Sequence, residues 1–541
     1  MQDCSTEELY QTGMKLKNGE GIDIDKRGAS EYFKQAAEKD HIDSMYEYGK
    51  MLFTGDGIDM NKEESCKYLK KAADKGHAKA ILIYIKIIFH EKYGVKRDFK
   101  EIMRYLKMAS ENGDPEAMTS YGKLLFTGTE IEQNKAEAVK WFKIGAKKNN
   151  AESMFYLGYS LLKGEGIECN KDEGIRYIKM SADKGFPNAI NYIGSMYENG
   201  NDVEQDENEA MKYYKLGMEK GNKELIIKYA TMIYNGYGTI EEHENESKYY
   251  KMAADAGDVG FMYIYGSVTD DNEESMRYTK EAADKGFSMA QFKYGLLVMK
   301  ANEMTNDHEE SKKYLKMAAD DGNLDAMYVY GWLNIEGNNP NIEEGIKYIK
   351  MSADNGNIKA MHDYSKILYK GEIIAKDSEE SCKYIKMAAD NGDVESMFEY
   401  GLFSFYGEGV SMDKKVAFEY FKKAADTGNT KAMYECGLML KDGEGVKIDK
   451  KEAAKYMKKA ADAGEVNAMN NYASMLASGD GIAVDKKEAS KYFKMAADEG
   501  LITAMMNYGK MLRDGDGIPK DIEEANKYIT MATEIQWIIY K

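Results

Sequence analysis

Three residue patterns in this sequence have spacings that could do chemistry. Asp23 and Asp25, with Gly28 after them, open like a calcium-binding loop. Lys34 stands where such a loop needs its closing bidentate glutamate, so the ligand set is incomplete. Ser120 and Lys123 have the S-x-x-K spacing of an acyl-transfer nucleophile and its base, but the SDN and KTG partners of that chemistry are missing. The third pattern pairs a lysine with a phenylalanine three residues on, as Lys50/Phe53, Lys86/Phe89 and Lys123/Phe126. Residues three apart share a helix face, so each pair sets an ammonium beside an apolar ring. That combination suits an acidic, partly apolar peptide or a carboxylate terminus. Trp332, four residues after Tyr328, is a second candidate anchor, because exposed aromatic side chains often carry interface energy.

Catalytic signatures are otherwise thin. The six histidines are scattered, and HExxH, GxxxxGK[ST], GxSxG, HRD and DFG are all missing. Cys4, Cys66, Cys169, Cys382 and Cys436 form no CxxC pair, and no cysteine–histidine spacing suits zinc. No metal or cofactor is expected, and the sequence reads as non-enzymatic. Sparse cysteine use points to a reducing, cytoplasmic setting. The formal charge of −18 disfavours nucleic acid and anionic lipid as general partners. The longest apolar run, Ala80 to Phe89, is short and broken by Lys86, so insertion into a membrane is not expected.

The elements that must position these residues come from a repeat. One column of positions reads Thr12, Tyr48, Tyr84, Tyr121, Leu157, Ile193, Tyr229, Tyr265, Tyr294, Tyr330, Tyr364, Tyr400, Cys436, Tyr472 and Tyr508. The steps are 36 residues except for 37 before Tyr121, 29 before Tyr294 and 34 before Tyr364. A second column runs in parallel from Tyr32, Tyr68 and Tyr105 to Tyr528. Within one unit, Ala432, Cys436, Gly437 and Leu440 have the spacing of a buried stripe on a first helix, A. Gly443 and Gly445 break the chain, and Asp449 with Glu452 has the spacing of a capping box. A second helix, B, carries Ala453, Tyr456, Met457, Ala460 and Ala461, and Gly464 ends it. One helix pair cannot bury both its faces, so neighbouring pairs must stack.

The acid between paired glycines, as at Glu20, Asp56 and Glu408, would repel phosphate, so these turns are not phosphate loops. The Gly-x-Gly turn is lost from Ser267 to Glu372, where a change of superhelical twist is expected instead of a domain boundary.

Ser44, Tyr48, Gly49, Leu52, Gly55, Gly57, Ile58, Tyr68, Ala72, Ala73 and Gly76 occupy the places of the Sel-1-like repeat, a relative of the tetratricopeptide repeat. The chain resembles that family over almost its whole length, in the manner of a protist-type member without a kinase domain. The resemblance implies an all-α fold: a right-handed α-solenoid of about fifteen antiparallel helix-pair repeats of about 36 residues, spanning 5–535. An irregular zone covers about 260–375 and a C-terminal tail 536–541. It also implies a non-catalytic scaffold or adaptor that binds partner proteins or peptides on a concave face lined by helix A. On that face lie the columns two before, two after and five after the first tyrosine. The last two hold Lys50/Phe53, Lys86/Phe89 and Lys123/Phe126, which makes acidic partners the expectation. Two other readings stand beside it: a detached regulatory arm of a larger signalling protein, such as a kinase-linked relative, and an enzyme with an unrecognised site.

Overall fold

Good helix-forming runs closed by glycine recur along the chain, and helices are what they make. The computed structural model describes residues 5–89, 96–128, 131–301, 308–337 and 340–540, with side chains to 537. Among these residues there are 31 helices and no strand. Thirty helices form fifteen successive A/B couples, numbered here in chain order from Thr6–Asn18 with Lys26–Glu38 to Ile502–Asp514 with Ile522–Tyr540. The remaining one, Ile240–Glu244, lies in the long A-to-B connection of couple 7. It starts from a complete capping box between Thr239 and Glu242. The last B helix runs to Tyr540, through the segment the sequence sets apart as a tail.

The chain divides into two compact units, Met1–Val268 and Thr269–Lys541. The division falls in couple 8, between its A helix Val259–Val268 and its B helix Asn272–Asp284. Within each unit a helix packs chiefly on the one before it and the one after it, which is the construction of an α-solenoid. No helix among the described residues is long and apolar enough to cross a membrane.

Couple 13 shows how a couple is locked by its own sequence. In couple 13 the A helix Thr430–Asp442 ends on left-handed Gly443 at φ 77°. The chain then returns, and the Asp449 N–H donates to the Leu440 carbonyl at 2.9 Å. The Asp449 carboxylate caps helix B by accepting from the Glu452 N–H at 2.9 Å. Only half of the expected capping box therefore forms. The N-cap N–H already has a carbonyl partner, so Glu452 turns to Lys455 at 2.6 Å instead. The same return bond joins Asn61 to Leu52, Asp413 to Ser404 and Asp485 to Leu476.

The tyrosine columns are the core of the design. Within a couple the two rings meet edge to face, as in Tyr364/Tyr384, Tyr400/Tyr420 and Tyr472/Tyr492, with centroids 4.8, 4.6 and 5.0 Å apart. Such pairs add to the burial of apolar area. Between couples, the B-helix tyrosine donates to an aspartate at the end of the preceding B helix: Tyr384 to Asp354, Tyr420 to Asp390 and Tyr528 to Asp498, each at 2.5 Å. Fully buried alanines such as Ala388, Ala424 and Ala460 let the helix backbones approach closely enough for this register.

The acid between the paired glycines also joins couples. Lys26 bonds Asp56 at 2.6 Å, Lys135 bonds Glu165 at 2.9 Å, Lys450 bonds Asp480 at 2.7 Å and Lys486 bonds Asp516 at 2.6 Å. The second glycine is needed for that approach. At Gly409, which has φ 68°, an added Cβ would fall 1.8 Å from the Ser378 carbonyl oxygen of the preceding B helix.

Candidate functional site

The lysine–phenylalanine pairs lie on successive A helices, Ile42–Thr54, Ala78–Phe89 and Pro115–Thr127, all in the first unit. The fold gives each pair a different environment. Lys50 is exposed, and its Nζ lies 6.0 Å from the ring of Tyr46, one turn back on the same helix. Lys86 is also exposed. Among the described residues neither Lys50 nor Lys86 forms an ion pair. Lys123 is half-buried and donates to Glu152 of the next A helix at 2.7 Å, with the Tyr156 ring centroid at 5.4 Å. Burial opposes its charge, but the Glu152 carboxylate more than offsets this and leaves the ammonium pKa above the usual lysine value.

All three phenylalanines share one arrangement. A cation from the same couple sits over each ring: Lys62 over Phe53 at 5.7 Å, Arg97 over Phe89 at 5.4 Å and Lys135 over Phe126 at 5.2 Å. Phe53 and Phe126 are half-buried, whereas Phe89 keeps 41% of its surface exposed. Phe126 packs between Phe142 and Tyr159, with centroids at 6.0 and 6.4 Å. From Tyr159 the aromatic contact passes to Tyr192 of couple 6 at 5.9 Å. This continuation beyond couple 4 is absent from the sequence reading, because the rings occupy different columns on the successive helices.

Tyr328 and Trp332 lie in the second unit on the A helix Leu324–Glu336. Both are half-buried and pack against a core that contains Ile349, Met361 and Tyr364. The Tyr328 hydroxyl donates to Asp363 of the next A helix at 2.6 Å. Burial, followed by that carboxylate, pushes the Tyr328 phenol up to about 12. Other rungs between neighbouring A helices join His362 to Ser396 at 2.8 Å and Asn471 to Tyr434 at 3.2 Å.

The sequence reading also passed over Lys366 and Tyr369, which repeat the lysine–aromatic spacing two and five residues after Tyr364. The signal lies in the same two columns, but it stands alone there, with Trp332/Ile335 before it and Leu402/Phe405 after it.

The other candidate chemistry resolves into structural roles. Asp25 is the N-cap of helix Lys26–Glu38 and accepts from the Gly28 N–H at 2.8 Å. Lys123, the base of the S-x-x-K pattern, is held by Glu152. No group of three or more histidines, cysteines or acids among the described residues could hold a metal ion. Cys66, Cys169, Cys382 and Cys436 are free thiols, and Cys4 lies outside the described residues.

Comparison with known families matches the Sel1 repeat fifteen times: at 9–41, 42–77, 89–114, 115–150, 151–186, 187–222, 248–258, 258–287, 288–323, 324–357, 358–393, 394–429, 430–465, 466–501 and 502–534. By sequence, no curated protein matches the chain. Among solved structures, the chain is similar to c5321, a protective antigen of uropathogenic Escherichia coli strains displaying an SLR fold. Identity there is 21%, covering 94% of this chain and 96% of that one, with a TM-score of 0.36. A Sel1 repeat protein from Oxalobacter formigenes is 22% identical over 57% of this chain and 92% of its own, with a TM-score of 0.44. Yeast Tom70 is 14% identical over 99% of this chain and 96% of its own, with a TM-score of 0.24.

Proposed function

We propose that this chain, which belongs to the Sel1 repeat family, is a non-catalytic scaffold or adaptor that binds partner proteins through the exposed face of its A helices. Repeats of this family generally serve as protein-interaction scaffolds. The observation that carries the reading here is the contrast between the lysines of couples 2 and 3 and their surroundings. Lys50 and Lys86 stand exposed and, among the described residues, without a carboxylate partner on a chain of formal charge −18. Beside them, Phe53 and Phe89 supply apolar surface whose position is fixed by Lys62 and Arg97.

An acidic, partly apolar peptide segment of a partner is the ligand this face fits. The acidic remainder of the surface disfavours stray anions, so the two ammonium groups act as a local selector. Lys123 takes a secondary part, since Glu152 already holds it. Tyr328 and Trp332, packed into the second unit, rank behind the lysine face as an anchor. The cytosol is the compartment in this reading, in keeping with four free thiols among the described cysteines.

The experiment is quantitative affinity purification from native lysate with the wild-type chain and with Lys50→Glu/Lys86→Glu. Loss of a stoichiometric partner from the variant, with helix content unchanged, is the expected result. An unchanged partner profile from the folded variant would refute the lysine face.

A further inference from the structure

The lysine–aromatic motif recurs once in the second unit, and there it opens a cleft. Lys366 and Tyr369 lie on the A helix Ile358–Lys370, facing the next A helix, Val394–Tyr406. Between them is a cleft of about 380 Å³, walled by Tyr369, Leu402, Phe403 and Tyr406. Its volume is near the lower end for small-ligand sites, enough for one or two side chains but not for a folded element.

The wall is fixed before any ligand arrives. The Tyr369 hydroxyl donates to Glu408 at 2.7 Å, its ring lies 5.2 Å from that of Phe403, and Lys376 caps it at 4.5 Å. Tyr406 closes the rim with 67% of its surface exposed, a large apolar area left uncovered on a chain whose other tyrosines mostly pack. Preorganised aromatic walls of this kind hold anchor side chains at little entropic cost.

The charges choose the ligand. The cleft is lined by two lysines, Lys366 and Lys370, and two carboxylates, Glu399 and Glu408. Glu399 is engaged by Lys366 at 3.6 Å, and Glu408 by the Tyr369 hydroxyl. Lys370 is exposed and forms no ion pair among the described residues. Lys370 is thus the one lysine of the lining that no carboxylate engages among the described residues, and it is the group left to take a ligand's carboxylate.

We infer that this cleft is an anchor pocket for an extended peptide segment that inserts one aromatic or large aliphatic side chain against Tyr369, Leu402 and Tyr406 and sets a neighbouring carboxylate on Lys370. The inference rests on the scaffold reading but assigns a second docking point, in the other unit and on residues that reading does not use.

The test is fluorescence anisotropy on the full chain with dye-labelled, amide-capped pentapeptides. The probes are Asp-Glu-Phe-Glu-Asp, its alanine-centred analogue Asp-Glu-Ala-Glu-Asp, and the basic Lys-Lys-Phe-Lys-Lys. The acidic phenylalanine peptide should bind saturably, the alanine analogue about tenfold more weakly, and the basic peptide not at all. Tyr406→Ala and Lys370→Glu, both at exposed positions, should each weaken the first peptide severalfold while leaving helix content intact, and Leu402→Trp should block the cleft. Lys50→Glu/Lys86→Glu should keep the part of the binding that Tyr406→Ala and Lys370→Glu weaken, even where it loses its cellular partner. Three results would each overturn the assignment: no saturable binding of the acidic phenylalanine peptide to the wild type, equal binding of the basic peptide, or loss of binding in Lys50→Glu/Lys86→Glu with Tyr406→Ala unaffected.

Discussion

Tyr492 donates its phenol hydrogen to Asp462, thirty residues upstream at the end of the preceding B helix, at 2.5 Å. The same oxygen accepts from Lys458 at 3.2 Å, and Lys458 also bonds Asp462 at 2.8 Å, so three groups close one joint between couples 13 and 14. Tyr492→Phe keeps the edge-to-face ring contact with Tyr472 and removes only the hydroxyl. It should cost about 1 kcal/mol, the usual net worth of such a bond at a partly exposed site. Hydrogen exchange should quicken in the helices on either side of the joint and stay unchanged in the first unit. A uniform rise over the chain would contradict nearest-neighbour stabilisation.

The joints set a pH range. For Asp74, Asp390 and Asp462, burial opposes the charge, but lysine or arginine and a tyrosine hydroxyl outweigh it and hold each carboxyl below the usual range. Groups lowered in the fold stabilise it above the unfolded value, and that contribution disappears as pH falls through their folded values. For Tyr314 and Tyr420, burial and then the bonded aspartate raise the phenol to about 12. Their contribution is whole below the unfolded value and is lost as pH rises toward about 12. Thermal melting followed by circular dichroism should therefore decline below about pH 4 and above about pH 10. Tyr314→Phe/Tyr420→Phe should weaken the alkaline limb, and the loss of the Tyr420 hydroxyl from Asp390 should soften the acid limb as well.

Glycine substitutions should separate backbone strain from lost contact between couples. Gly464 has φ 96° and open space around its missing side chain, so Gly464→Ala should cost roughly 1–2 kcal/mol, the left-handed penalty alone. At Gly409, with φ 68°, the new Cβ would also collide with the Ser378 carbonyl. Gly409→Ala should cost clearly more, with the loss localised by hydrogen exchange to couples 11 and 12.

Lys123 should behave unlike Lys50 and Lys86 when reversed. Lys123→Glu sets a carboxylate against Glu152 and should destabilise couples 4 and 5 by about 1 kcal/mol, as expected for a half-exposed pair. Lys50→Glu/Lys86→Glu should melt as the wild type does. Equal melting of all three would mean that the Lys123–Glu152 bond contributes nothing.

The tyrosine columns announce the helices and their pairing because a residue kept at one phase over fifteen units must face the same neighbour each time. What those tyrosines bond is harder to read. Asp462 and Asp390 follow alanine pairs at the exposed end of a helix and look like ordinary surface until the next couple is stacked upon them. The acids between paired glycines were legible only as hostile to phosphate, since Lys450 and Asp480 meet across couples, not within one. Couple 7 offered a clue in Thr239 and Glu242, whose spacing is that of the capping box that starts the short helix Ile240–Glu244. On the candidate face the columns gave the lysines, but their state depends on the following couple. Glu152 faces Lys123, whereas Lys79 occupies the corresponding position for Lys50. Glu116 occupies it for Lys86, yet the two form no ion pair among the described residues.

The central claim is that partners bind on the A helices of the first unit. Hydrogen exchange on the purified complex of this chain with the partner lost by Lys50→Glu/Lys86→Glu addresses it most directly. Protection should appear on Ile42–Thr54 and Ala78–Phe89, extend to Pro115–Thr127, and fade as salt rises. Protection confined to B helices such as Lys62–Asp74 and Phe99–Glu111, or protection of the A helices that ignores salt, would contradict the account.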